Sequence, residues 1–202
     1  MTSDEMTDRI RAAFPQAITG QNRFRDETSL SIQPDSIRVV CEFCKSTLGF
    51  NYLIDVSSVD HFGEEPRYEV VYELYSMRDA VHLRLKTTVS EDDARIPSVA
   101  DLWPTADWHE REAYDMMGIT FTGHPDLRRI LMWDGYPYHP LRKDFPLQGK
   151  PSEMPGVAFT EVAPLAGGPF VTIPTDGTTQ VREPRARHAG ELPTREKFLS
   201  EP

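Results

Sequence analysis

The stretch AVHLRLKTTV at 80–89 constrains the fold most tightly. Val81, Leu83, Leu85 and Val89 share one parity, and His82, Arg84 and Lys86 share the other. Successive strand residues point to opposite faces, so this is a strand of a sheet with one covered and one wetted face. On that pattern His82 is a solvated strand residue. The cover has to come from helices, and the sequence supplies their stripes. Ile37, Val40, Cys41, Cys44 and Leu48 recur at i, i+3, i+4, i+7 and i+11, one face of a helix opened by Pro34 and Asp35 and ended near Gly49. A first helix, with Ser3 as its cap and Pro15 as its stop, carries Met6, Ile10, Ala13 and Phe14.

Three further segments read as strands: TSLSIQ at 28–33, FNYLIDVSSVD at 50–60 and RYEVVYELYSM at 67–77, the last two joined by the turn HFGEEP. SEDDARIPSVADLWP reads as helical, with Ser98 and Asp101 spaced as a capping box. ADWHEREAYDMM at about 106–117 is another helix, stopped by Gly118. The order helix, strand, helix, three strands, helix predicts an α+β fold: a small antiparallel or mixed sheet with helices packed on one face. That domain is expected to span residues 1–149, followed by an extended C-terminal arm. Residues 150–202 hold eight of the 17 prolines and five of the 12 glycines, too little apolar surface for a core of their own. Either that tail is floppy or it is an arm that lies along another subunit through Val157, Phe159, Phe170, Val171 and Ile173.

Composition excludes some functions. A formal net charge of −10 repels phosphates and anionic headgroups, which argues against free nucleic-acid binding. MTSDEMTDRI has no signal-peptide core, and no run has the roughly 18 apolar residues of a span, so any membrane contact is expected through partners. Cys41 and Cys44 form a CxxC, a spacing used by redox dithiols and zinc half-sites. Their place on an apolar helix stripe favours packing.

Most of the information lies in residues 108–149, WHEREAYDMMGITFTGHPDLRRILMWDGYPYHPLRKDFPLQG. Arg111 and Asp115 are four apart and can pair, and Glu112 lies beside Trp108. Trp108, Tyr114, Met116 and Met117 make the helix apolar nearly all round, more than one packing face needs. His124-Pro125 and His139-Pro140 hold the chain extended over a surface. A metal site of His109, Glu112, His124 and His139 can be drawn, although no fixed ligand pair such as HExxH occurs and Arg111 would compete with a cation. Nothing supplies a nucleophile or an oxyanion site for hydrolysis by Glu110, Glu112 or Asp115.

Glu110-Arg111-Glu112, Asp115, Met116-Met117, His124, Arg128, Ile130 and Leu131, followed by GYPYHPLRKDFPLQG, closely resemble the signature of the 30-kDa-type subunit family of NADH:quinone oxidoreductase, respiratory complex I. The resemblance implies a non-redox structural subunit of the peripheral arm, on the cytoplasmic side of the bacterial inner membrane. It implies no cofactor in this chain, with FMN, iron–sulfur clusters and quinone held elsewhere in the complex. The expected partners are the quinone-site subunit and the terminal-cluster subunit. Two helix-face cysteines agree, because a cluster usually requires four ligands. Under that resemblance HPLRKDFP becomes a docking strip. Arg128, Arg129, Arg142 and Lys143, with Asp144 and His139 beside them, would meet acids on neighbouring subunits or pair internally with Glu110, Glu112 and Asp115. Trp133, Tyr136, Tyr138 and Phe145 would be buried anchors. The homologous subunit of a membrane-bound hydrogenase, or of a ferredoxin- or F420-linked dehydrogenase, fits the same residues. A stand-alone metal enzyme and a thiol redox protein stand as rival readings.

Overall fold

A computed structural model describes residues 1–25 and 27–150. Met1–Asp144 forms one compact unit, and the expected tail at 150–202 falls almost wholly outside the described residues. The elements are α1 (Ser3–Ala13), β1 (Ile18–Phe24), β2 (Glu27–Ile32), a single 3₁₀ turn (Pro34–Ser36), α2 (Ile37–Ser46), β3 (Tyr52–Asp60), β4 (Tyr68–Ser76), β5 (Val81–Val89), β6 (Arg95–Pro97), α3 (Thr105–Met117) and β7 (Thr120–Thr122).

Five strands form one sheet in the order β1-β2-β5-β4-β3. All neighbours run antiparallel except β2 and β5, where Ser29 faces Arg84 and Ser31 faces Lys86 in parallel. The sheet is therefore mixed, and the fold is α+β. Leu30, Ile32, Leu53, Val56, Val70, Tyr72, Leu74, Leu83 and Leu85 point to the covered side and join Met6, Ile10, Ile37, Val40, Cys41 and Cys44 in one core. Fully burying an aliphatic side chain of this kind contributes about 1.5–3 kcal/mol, so these two helices and the sheet hold each other. The other side of the sheet is wet, with Lys86 donating to Glu69 at 2.9 Å and Arg84 paired with Glu73 and Glu27. His82 is exposed there and tilts against Tyr75. Both thiols are wholly buried. Burial pushes the Cys41 thiol well up, and does the same to Cys44, so neither is a ready thiolate.

Four local expectations need correction. Thr2, not Ser3, caps α1, in a full capping box with Glu5. Residues 18–24 form an edge strand that the sequence hides, because ITGQNRF has almost no buried side and is held by backbone pairing to β2. The segment from Ser90 to Pro104 is not a helix: Arg95–Pro97 pairs in parallel with β7. Ser98, spaced like a helix cap, is buried and its hydroxyl donates to Glu110 at 2.5 Å.

Candidate functional site

The candidate site is built on α3. The helix packs on the edge strand β3 and shields its open edge: the Thr105 hydroxyl donates to the Leu53 carbonyl, and His109 Nδ1 lies 2.9 Å from Asp55. It ends at Gly118, whose φ of +79° is left-handed. A side chain there would be strained, and a Cβ would come within 2.5 Å of the Arg142 guanidinium and 2.7 Å of His139 Nε2. The bare glycine lets the strip at 139–144 lie directly on the helix end.

Asp115 is the centre of the fastening. Its carboxylate is wholly buried, and Oδ2 accepts the consecutive N–H groups of Ile130, Leu131 and Met132 at 3.0, 2.7 and 2.8 Å, while Oδ1 takes the Arg129 guanidinium. Burial opposes ionisation, but the Met132 N–H, the guanidinium and the two further N–H groups outweigh it and hold the carboxyl below its ordinary range. The expected Arg111–Asp115 pair does not form. Arg111 instead turns to the carbonyls of Arg128 and Arg129, at 3.2 and 3.3 Å, and its guanidinium lies 5.2 Å from the Trp108 ring centroid. Asp115 and Arg111 thus grip the same downstream loop, one through its donors and the other through its acceptors.

Glu110, one turn earlier, is just as buried but behaves oppositely. Its carboxylate accepts from Ser98 and, at 2.7 Å, from the Val99 N–H. Two neutral donors, with Asp101 and Asp107 nearby, do not offset the loss of water, and burial pushes its pKa from 4.5 up to about 7. His124 is enclosed beside it. Asp126 N–H donates to Nδ1, which leaves the ring proton on Nε2, 3.2 Å from the Asp107 carbonyl and 4.0 Å from Glu110. A pKa raised on folding weakens the fold as pH climbs from about 4.5 through about 7. The Glu110 contribution lost across that window is about 3 kcal/mol. Glu110→Gln is therefore expected to gain stability over the natural chain between pH 5 and 8, measured as unfolding free energy by denaturant titration against pH.

The strip at 139–144 is tied inward at several points, while Leu141, Lys143 and Asp144 stay exposed. His139 Nδ1 meets the Asp115 carbonyl at 2.9 Å, and burial with the Arg142 and Arg129 charges lowers the pKa of its ring. Arg142 Nε donates to the Met117 carbonyl at 2.7 Å and stacks over Tyr68. Lys143 N–H donates to Asp60 at 2.7 Å, and Asp144 accepts from Arg67 at 2.6 Å. Arg67 is the residue that sequence reasoning missed. It is 4 % exposed, forks onto both oxygens of buried Asp60 at 2.8 and 2.9 Å, and reaches Glu91 as well. The fork outweighs the cost of burial and, helped by the Lys143 N–H, holds the Asp60 carboxyl below its ordinary range. One signal was available: Asp60 falls on the core-facing parity of β3, where a carboxylate needs a buried partner.

The other expected residues separate. Arg128 pairs with Asp126 at 2.8 Å on the surface, and Glu112 is exposed. Tyr136 is buried with its ring in edge contact with Trp133 and Tyr138, an internal aromatic knot more than a set of anchors held out to a partner. Met116 and Met117 are buried, whereas Trp108 is 60 % exposed. The four candidate metal ligands do not converge: His109 goes to Asp55, His124 to Asp107, His139 to Asp115, and Glu112 to solvent. Among the described residues no group of three or more His, Cys, Asp or Glu could hold a metal ion.

What this geometry defines is an α+β unit whose signature acids fasten a long aromatic and basic strip to one helix. The profile of the respiratory-chain NADH dehydrogenase 30 kDa subunit family matches residues 30–151. The C-subunit of NADH-quinone oxidoreductase from Geotalea uraniireducens (strain Rf4) is 46 % identical over 145 residues, which is 72 % of this chain and 88 % of that protein. The same subunit from Roseiflexus sp. (strain RS-1) is 46 % identical over 155 residues, 76 % and 86 % of the two chains. Among solved structures, the trypsin-resistant fragment of Nqo5 superposes with a TM-score of 0.55 at 30 % identity, covering 63 % of this chain and all of that one. A chain of the membrane-bound sulfane sulfur reductase, an archaeal respiratory membrane complex, superposes with a TM-score of 0.62 at 27 % identity, covering 71 % and 85 %. The chain belongs to the 30 kDa subunit family of respiratory-chain NADH dehydrogenase, the complex I family. It is part of an NADH-quinone oxidoreductase complex, and no described helix is long and apolar enough to cross a membrane.

Proposed function

We propose that this chain is a non-redox structural subunit of the peripheral arm, on the cytoplasmic side of the membrane. It braces the subunits that carry electrons from NADH through FMN and iron–sulfur clusters to quinone, and holds no cofactor itself. Its neighbours in this reading are the quinone-site subunit and the terminal-cluster subunit. The observation that carries it is the use made of the signature residues: Glu110, Arg111, Asp115, His124, His139 and Arg142 all spend their hydrogen bonds on this chain's own backbone or buried side chains. They build a rigid surface and leave no converging reactive groups. The docking role expected of the strip then falls chiefly to Lys143 and the half-exposed Leu141, because Arg142 is spent on the Met117 carbonyl and Asp144, though half-exposed, is paired with Arg67. The likeness to a sulfane sulfur reductase chain shows the same fold in another respiratory complex, but 46 % identity to the NADH-quinone oxidoreductase relative against 27 % favours NADH and quinone.

The test is purification of the tagged full-length chain from its own cells. Recovery of flavin- and NADH-binding subunits with NADH:quinone activity is expected, and hydrogenase or sulfur-reductase subunits in their place would overturn the assignment. Lys143→Glu is expected to lower recovery of the complex about tenfold at low salt, the size of one interfacial charge contact, with the thermal midpoint of the isolated chain unmoved.

A further inference from the structure

Trp108 is the largest of the exposed apolar side chains in the signature segment. Its indole is 60 % exposed on α3, yet it is not loose: the Arg111 guanidinium stacks on it, and Arg111 is itself 7 % exposed and fixed by two carbonyls of the 128–129 loop. Leu131, 61 % exposed, follows on the same loop, held by its N–H to Asp115, one helical turn beyond Arg111. An aromatic and an aliphatic side chain are thus presented on a backbone fastened from both sides, so little ordering entropy remains to be lost on binding. A large exposed ring clamped by a cation is what a binding anchor requires, and tryptophan is among the residues that most often dominate interface energetics.

The charge around the anchor says what kind of surface it meets. Glu112 lies one turn from Trp108 on the same helical face and is exposed, as is Asp134 beyond Leu131. No ion pair is formed by either carboxylate among the described residues, whereas the nearby cations are spoken for: Arg111 by carbonyls, Arg128 by Asp126 and Arg129 by Asp115. On α3, Trp108 therefore presents an apolar anchor with the unpaired Glu112 carboxylate beside it. We infer that Trp108, with Glu112 beside it, forms a second docking surface, separate from the 139–144 strip, which takes an apolar pocket flanked by a lysine or arginine on another protein subunit of the complex. This inference rests on the reading of the chain as part of a complex and adds where and to what chemistry it binds.

The experiment uses the whole complex. Photo-crosslinking from p-benzoylphenylalanine at position 108 is expected to join this chain to one other subunit beside a basic residue. Trp108→Ala is expected to weaken recovery of that subunit by about 30-fold, the ~2 kcal/mol of an interface hot spot, and Glu112→Lys to weaken it further at low salt than at high salt. Because Trp108 is exposed, the isolated variant should melt within a few degrees of the natural chain, and Trp108→Phe should restore most of the binding. A crosslink to a second copy of this chain, a crosslink to no protein, or full assembly of Trp108→Ala would overturn the inference while leaving the reading of the chain as a structural subunit intact. Failure of the natural chain to recover any oxidoreductase subunit would overturn both.

Discussion

Replacing Asp115 by alanine is expected to cost the fold roughly 3–5 kcal/mol, the range found when one partner of a buried ion pair is removed, and to lower the thermal midpoint by about 10 °C. The substitution removes one carboxylate and leaves four donors behind: the N–H groups of Ile130, Leu131 and Met132 and the Arg129 guanidinium. Each must find water or stay unpaired, and an unpaired buried donor costs about 1–3 kcal/mol. Asp115→Asn keeps an acceptor oxygen but not the charge, so its loss should be about half as large. Denaturant unfolding measures the free energy, and limited proteolysis tells where the damage falls. The alanine variant should be cut between residues 119 and 144 under conditions that leave the natural chain whole. A loss below ~1 kcal/mol with no new cleavage would show that the loop is held by its apolar contacts and not by Asp115.

How much of this could be read from the sequence depends on whether a residue's partner is local. The stripe Ile37, Val40, Cys41, Cys44 gave α2 and placed both thiols in the core, and the alternation from Val81 to Val89 gave β5 and its wet face, because each pattern is contained within its own element. Gly118 marked the end of α3 for the same reason. β1 was missed because an edge strand with exposed side chains has no inward parity to read. Ser98 and Asp101 imitate a capping box, and nothing local reveals that Ser98 reaches Glu110 and Asp101 reaches Arg38. At the candidate site the sequence marked the right segment and often gave the wrong partner. A four-residue spacing suggested Arg111–Asp115, but both residues are claimed by a loop 14 to 18 positions downstream. The inward ties of HPLRKDFP were hidden because the partners of the Lys143 amide and the Asp144 carboxylate, Asp60 and Arg67, lie 83 and 77 positions away.

Arg67→Met should be almost as damaging as loss of Asp115, and its pH dependence identifies the cause. The variant leaves Asp60 wholly buried with the Lys143 N–H as its one remaining donor, so a loss of about 3–5 kcal/mol is expected at pH 7. In the natural chain the Arg67 fork lowers the Asp60 pKa. A depressed carboxyl pKa contributes stability that is present above the ordinary value of 3.8 and disappears as pH falls through the folded-state value. The gap between variant and natural chain should accordingly begin to narrow at a pH above 3.8, because burial without the Arg67 fork raises the Asp60 pKa in the variant, and it should go on narrowing as pH falls through the lowered value of the natural chain. Adding Asp60→Leu removes the buried charge outright. The double variant should regain most of the stability, since a buried ion pair is often replaceable by apolar groups of similar size. It should not regain the fastening of the strip, because Lys143 N–H and Asp144 have then both lost their acceptor or donor on the sheet. Hydrogen exchange at the Lys143 amide separates the two effects. Fast exchange in a stable double variant would show that Asp60 and Arg67 hold the 139–144 surface in place, and slow exchange would assign that task to Arg142 and Gly118 at the end of α3.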